Sequence, residues 1–373
     1  MNVPEVLERL KRHAGSSRAP RAVLGLDGFV DRIAHRAAGP DGRQFETMDE
    51  MARFLASRKE NSAYLSLDGV QARPGGNMPN TALALMAMGA QCTCVGTLGF
   101  PSVSEAFEPL KAGAGVVSYG EPGFCLAVEF DACKLFLSDN GGMAGMTYEA
   151  FLRRAGETKL MKALEGADVL ALLNWGEVPE MRALWRGIAE GLLPTLAKKP
   201  RYVFCDTADM THRTGEEIED LLETLRLLRR QARTVLSVND GELASLTDKA
   251  DLMPGGELRD RARALYETES VDLLVHHSLR YARVFGPEGE ETLATRLAEQ
   301  PVLLTGGGDN FNAGFMLGLL AGLSPNGCLM TGNAASSCYV RRGRCANLSD
   351  IVEEIERSAA VWPGEVMRNE EAI

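Results

Sequence analysis

Short apolar runs rich in β-branched residues alternate along the chain with segments whose apolar residues return every three or four positions. The clearest runs are 22–26, 93–97, 169–173, 202–205, 234–238 and 273–277. Runs of this length read as buried strands, and the intervening period as helices laid against them. Between the fourth and fifth runs, Ile218, Leu221, Leu222, Leu225 and Leu228 fall on one helical face with Glu and Arg on the other. Strand and helix in alternation predict parallel strands joined by crossover helices, hence an α/β fold.

Two regions break this rhythm. Residues 33–47 with 62–74, and then 123–138 with a turn near Asp131-Ala132, are strand-like without crossover helices. They predict a small antiparallel sheet standing off the main one as a lid. With no repeat, low-complexity tract or long linker in between, residues 1–373 are expected to form one domain with an inserted lid. Lid strands left with open edges need covering, and pairing between two copies would cover them, so a homodimer through the lid is expected.

Composition narrows the class. A 45% hydrophobic and 24% charged chain is that of a globular protein, and no apolar stretch is long enough to span a bilayer. The first 21 residues read as a charged amphipathic helix rather than a secretory leader, so a cytoplasmic location is expected. A net charge of −11 argues against nucleic acid as a partner. The eight cysteines lack paired spacing and read as buried reduced thiols.

The segment richest in chemistry is Thr305-Gly306-Gly307-Gly308-Asp309-Asn310-Phe311-Asn312-Ala313-Gly314-Phe315. Phe311, Phe315 and Leu319 share a helical face, which places a helix start near Asp309. Glycines at a helix N-terminus expose amides where the helix dipole is positive, so Gly306, Gly307 and Gly308 predict an anion hole. A carboxylate at its mouth suits a general base that takes a proton from an attacking hydroxyl, although on local evidence Asp309 serves equally as an N-cap.

This stretch resembles the C-terminal signature of the ribokinase-like (PfkB-type) carbohydrate kinases. The resemblance extends to the N-terminal signature Gly75-Gly76-Asn77-Met78-Pro79-Asn80 and to Asn239-Asp240-Gly241-Glu242, in the family's order. It implies a three-layer sandwich with a mostly parallel central sheet flanked by helices, plus a small β-sheet lid, and ATP-dependent phosphorylation of a sugar hydroxyl, expected to be primary. Asp309 would be the base. Gly75, Gly76, Asn77 and Asn80 would meet the sugar, with Asp31 after the first strand and Asp27 as the second candidate. Glu129 would reach the substrate from the lid. Asn239 and Glu242 would act through water on Mg²⁺ and the nucleotide phosphates, with Thr305 and Asn333 also at the nucleotide.

Two departures stand out. Relatives often carry an acid ahead of the glycine signature that helps to bind a monovalent cation, whereas this chain has Leu303 and Leu304, so cation activation is not expected. Where relatives have a Thr-x-Gly turn, this chain reads His276-His277-Ser278-Leu279-Arg280; Arg280 is either a phosphate ligand or a surface residue. The two histidines, being strand neighbours, face opposite ways and do not form a metal pair. These departures also motivate a rival reading, a catalytically weak sugar or nucleotide sensor of the same fold.

Overall fold

The computed structural model describes residues 2–59, 61–131, 133–303 and 305–359. In chain order the strands are β1 (Arg21–Leu26), β2 (Phe29–Ala34), β3 (Arg36–Ala38), β4 (Ser66–Asp68), β5 (Gln71–Gly75), β6 (Gln91–Gly96), β7 (Gly115–Ser118), β8 (Gly123–Glu129), β9 (Lys134–Asp139), β10 (Val169–Leu173), β11 (Tyr202–Asp206), β12 (Arg233–Asn239), β13 (Leu273–His277), β14 (Tyr281–Gly286) and β15 (Gly289–Ala294). Nine of them form the main sheet in the order β15-β14-β13-β12-β11-β10-β1-β6-β7. The seven from β13 to β7 run parallel, and β14 and β15 add an antiparallel edge.

Each inner strand buries both faces. Ala22 and Leu24 of β1, and Val169, Ala171 and Leu173 of β10, join one apolar core. Their neighbours Val23, Leu26, Leu170 and Leu172 join the other. A strand between two helical layers must be apolar at every position, which is why these runs are continuous rather than alternating. The first core is covered by the helices Val3–Ala14, Asn77–Ala87, Gly307–Leu320, Pro325–Arg342 and Leu348–Ser358, the second by Tyr148–Ala155, Gly215–Arg229 and Asp240–Lys249 among others. The result is the expected α/β three-layer sandwich. On the helix Gly215–Arg229 all five periodic residues are buried, and Thr214 with Glu217 closes a capping box at its start. Removing such a cap costs about 1 kcal/mol.

The smaller sheet has the order β5-β2-β8-β9. Its edge pairs β2 with β5 and β8 with β9 are antiparallel, while β2 and β8 run parallel because they leave the main sheet in separate excursions. β3 and β4 make a further two-stranded ribbon. Between them lies a helix, Met48–Arg58, capped by Thr47, which a strand-like reading of 33–47 and 62–74 passes over. Of the turn expected near Asp131-Ala132, Ala132 lies outside the described residues.

Other sequence expectations are corrected in detail. The helix expected near Asp309 starts at Gly307, with Gly306 rather than Asp309 as its N-cap, because the entry requires a left-handed residue (φ 92°) that glycine adopts freely. Cys92, Cys94, Cys205, Cys328 and Cys338 are buried, but Cys125 and Cys345 are half-buried and Cys133 is exposed near the β8–β9 turn. Among the described residues no helix is long and apolar enough to cross a membrane.

Candidate functional site

The carboxyl ends of β1, β10, β11, β12 and β13 form one rim of the main sheet. At β1 the order reverses, with β6 to one side and β10 to the other, and such a reversal leaves a crevice outside the strand ends. The first polar residues beyond these runs are Asp27 after β1, Asn174 after β10, Asp206 at the end of β11 and Asn239 at the end of β12.

Asp27 is fully buried. Its two oxygens accept from the backbone N–H of Asn77 (2.8 Å) and Met78 (2.9 Å) and from the side-chain amide of Asn174 (3.0 Å). It therefore caps the helix Asn77–Ala87 from outside, where the helix dipole favours a negative charge. Gly76, the N-cap, has φ 93°, and a Cβ there would stand 2.5 Å from Asp27 Oδ2. A Cβ on Gly75 would lie 2.0 Å from Asp31 Oδ1. The glycine pair thus makes room for two carboxylates of this chain. Of the two sugar-binding candidates, Asp27 is occupied in holding the helix, whereas Asp31 is only partly buried and lies across from Arg73 in the β2–β5 ladder.

The helix that Asp27 caps carries Asn80, whose side-chain amide donates to Asp309 Oδ2 at 3.1 Å. Asp309 is third in the helix Gly307–Leu320, so the amides of Gly307, Gly308 and Asp309 precede the first intrahelical bond, from Asn310 N–H to Gly306 C=O (3.0 Å). The Asn310 side chain donates to the same carbonyl (2.9 Å). Tyr339 closes the turn from behind: its hydroxyl donates to Thr305 C=O at 3.0 Å and lies 2.8 Å from where a Gly306 Cβ would be.

Six acids face one another across this rim. Burial, then the charges of Asp206, Asp27 and Glu177, push the Asp309 carboxyl well above the ordinary range, and Asn80 opposes the rise. Burial raises Asp27 to about 7 against its three hydrogen bonds. Asp31 goes up to about 6 through burial, offset by Arg73 and reinforced by Glu177. Asp206 is raised to about 6 by burial, although it accepts from Ala208 N–H (2.8 Å) and from the Asn312 amide, whose own oxygen accepts from Ser237 Oγ at 2.7 Å. Glu242 is pushed well up by burial and by Asp206.

Asn239 and Glu242 form a reciprocal cap on the helix Asp240–Lys249. Asn239 N–H donates to Glu242 Oε2 (2.9 Å), its side-chain amide to Oε1 (2.7 Å), and Glu242 N–H to Asn239 Oδ1 (2.9 Å). Each carboxylate oxygen keeps a second lone pair, so the pair can face a hydrated cation.

The remaining expected residues are spread out. Asn333 is buried between Thr295 Oγ1 (3.3 Å) and Ala294 C=O (3.4 Å) at the end of β15. Thr305 and Arg280 are exposed, Arg280 in the β13–β14 turn. Glu129 lies four residues along β8 from Cys125, the partner of Asp31, and sits 3.2 Å from His35 Nδ1. Leu304 lies outside the described residues. His276 and His277 do face opposite ways, the first bonded to Asp240 (2.7 Å), the second packed on Phe311 with ring centroids 4.8 Å apart. Burial lowers His277 to about 4, so its ring is neutral.

Sequence reasoning missed Asn174, Glu177 and Asp206. The Asn174 amide bridges Asp27 and Glu177 Oε2 (3.1 Å), and Glu177 is recessed yet open to solvent. The segment that carries them is clamped by buried Arg213, which donates to the carbonyls of Gly176 (3.0 Å), Val178 (2.6 Å) and Trp175 (2.5 Å) and lies over the Trp175 ring. The available signal was a polar residue closing an all-apolar run, as in Leu172-Leu173-Asn174 and Phe204-Cys205-Asp206.

A family model described as prokaryotic ketohexokinase matches residues 5–357. The ketohexokinase of Haloferax volcanii is 28% identical over 329 residues, which is 87% of each chain. Among solved structures, ribokinase of Arabidopsis thaliana, determined with ribose and ATP, superposes with a TM-score of 0.65 at 16% identity over 91% of this chain and 99% of its own. A nucleoside kinase of Methanocaldococcus jannaschii gives 0.63 at 15% identity over 92% and 100%. At such identities the likeness is one of fold.

Proposed function

Because the chain belongs to the prokaryotic ketohexokinase family, and is thus a carbohydrate kinase that transfers a phosphoryl group to an alcohol, we propose that its acceptor is a primary hydroxyl of a ketohexose and that Asp309 is the base. The observation that carries this reading is the Asn80–Asp309 hydrogen bond beside the first-turn amides of Gly307 and Gly308. The N-terminal glycine-asparagine segment and the C-terminal glycine-aspartate segment meet there, so one small molecule can touch both.

In this reading the sugar lies against Asn77, Asn80 and Asp31, with Glu177 on the opposite side. Asp309 accepts the hydroxyl proton while the hydroxyl oxygen bonds to the terminal phosphorus of ATP, and the bond from that phosphorus to the bridging oxygen breaks to release ADP. The amides of Gly306, Gly307 and Gly308 face the charge on the transferring group. Burial and Asp206 raise the proton affinity of Asp309, which makes its ionised form a stronger acceptor. Mg²⁺ would supply positive charge to the polyphosphate, held through water by Asn239 and Glu242. A rim of six carboxylates repels a nucleotide polyanion, so it needs that countercharge. Asn333, Thr305 and Arg280 border the nucleotide side.

The small sheet would close over the sugar and keep water from competing as acceptor. Phe124, Phe136 and Leu137 are more than a third exposed on its β8–β9 hairpin, and pairing with the same hairpin of a second copy would cover them.

The test is release of ADP with a panel of ketohexoses, aldoses and nucleosides, for the native protein and Asp309→Asn. Turnover should be highest on a ketohexose and fall about 10³-fold in the variant, within the usual range for a lost base. Equal turnover in the two proteins would remove Asp309 from the mechanism, and preference for a nucleoside would overturn the substrate.

A further inference from the structure

The excursion between β3 and β4 has a small core of its own, formed by Ala37, Phe45 and Met51 with Val128 of β8. On its outer side is a cleft of about 500 Å³ that shares no lining residue with the rim around Asp309. The rings of Phe45 and Phe54, centroids 5.4 Å apart, contribute its apolar lining. The Arg58 guanidinium lies 4.4 Å from the centre of the Phe54 ring, and its buried Nε has no acceptor among the described residues.

The charges around the cleft are unevenly engaged. Its two carboxylates are occupied by backbone: Asp41 accepts from Arg43 N–H (3.2 Å) and Glu50 from Glu46 N–H (3.0 Å). Its guanidinium groups are loosely held. Arg43 reaches Glu50 only at 4.0 Å, and Arg53 pairs with Asp49 (2.9 Å) where both side chains are more than two-thirds exposed. Exposed pairs of this kind are weak and readily exchanged for a better acceptor. Arg58 has no carboxylate partner among the described residues. In a chain of net charge −11, this concentrates available guanidinium donors at one apolar-floored cleft.

We propose that the cleft is a second ligand site, separate from the phosphoryl-transfer site, which takes a small phosphorylated metabolite. The phosphate would bridge Arg53 and Arg58, whose planar forks match its oxygens, and the group bearing it would lie on Phe45 and Phe54. Free phosphate, a nucleoside diphosphate and a sugar phosphate share this chemistry.

Calorimetric titration of the full chain with inorganic phosphate, with ADP and with a hexose monophosphate separates these sources. At least one probe should show a saturable site that weakens about tenfold or more in Arg53→Ala and is lost in Arg53→Ala/Arg58→Ala, with sugar turnover unchanged in both. Arg53 stands at the rim, so its substitution leaves the fold intact and decides the matter if the double variant is unstable. An affinity unaltered in Arg53→Ala overturns the proposal, as does the absence of any saturable site for all three probes beyond the one that the ATP substrate occupies.

Discussion

The side-chain amide of Asn80 donates to Asp309 Oδ2 at 3.1 Å, joining residues 229 positions apart. The contact joins the first turns of two helices, Asn77–Ala87 and Gly307–Leu320. The bond favours the ionised carboxylate against the burial and the neighbouring charge of Asp206 that push the other way. With Asp309 as the proposed base, Asn80→Ala should raise its proton affinity further and move the acidic limb of the kcat–pH profile to higher pH. A loss of activity equal at every pH would assign Asn80 to sugar binding alone.

At Gly75 the expected effect is on binding. A methyl group in Gly75→Ala would need the space of Asp31 Oδ1, 2.0 Å away, and that carboxylate is the end of a side chain that is able to turn aside. Stability should therefore fall by only about 1 kcal/mol. The KM for sugar should rise about tenfold or more, with kcat within a few-fold. Steady-state kinetics over a range of sugar concentrations separate the two constants, and a fall confined to kcat would contradict a binding role for Asp31.

Asp27 should behave as a structural acid. Asp27→Ala strips the acceptor from two backbone N–H groups and from the Asn174 amide, all in a buried site. The expected cost is about 3 kcal/mol or more, read as a lower urea midpoint, with Asp27→Asn affected less because it keeps one acceptor oxygen.

The acidic rim also sets a pH dependence of stability. Asp206 titrates at about 6 in the folded protein, above its ordinary unfolded value. The folded state therefore binds more protons between these values, and stability present at low pH is lost as pH rises through 6. Without nucleotide or Mg²⁺, unfolding free energy should decrease between pH 4 and pH 7, with Asp27 and Asp31 acting in the same direction. Two pKa units correspond to about 3 kcal/mol, and Asp206→Asn should remove most of that share of the slope. A slope unchanged in the variant would show that Asp206 is ionised throughout.

The parts of the site legible in the sequence are those where chemistry and local geometry coincide. Gly306 to Asp309 declare a helix start with a carboxylate in its first turn, and Gly75 to Asn80 declare a loop and its helix. Asn174, Glu177 and Asp206 were hidden because their place depends on which strands lie side by side, and the order β11-β10-β1 is not written in any one segment. The reach of Glu129 from the lid depends on register in the same way: four residues along a strand is about 13 Å, and the β2–β8 register puts Asp31 opposite Cys125. The helix Met48–Arg58 has only Met51 fully buried and so lacks a strong apolar stripe.

The Asp27 carboxylate also acts as a clasp. It bonds the chain 50 residues ahead of it, so that everything between, including the ribbon, the arginine-lined cleft and its helix, is a loop tied off at the base. The entropy of closing a loop grows only logarithmically, and doubling its length costs about 0.6 kcal/mol. That excursion is therefore a place where a chain of this fold can gain or lose whole elements, and with them whatever they bind, while the spacing of Asn80 and Asp309 stays fixed.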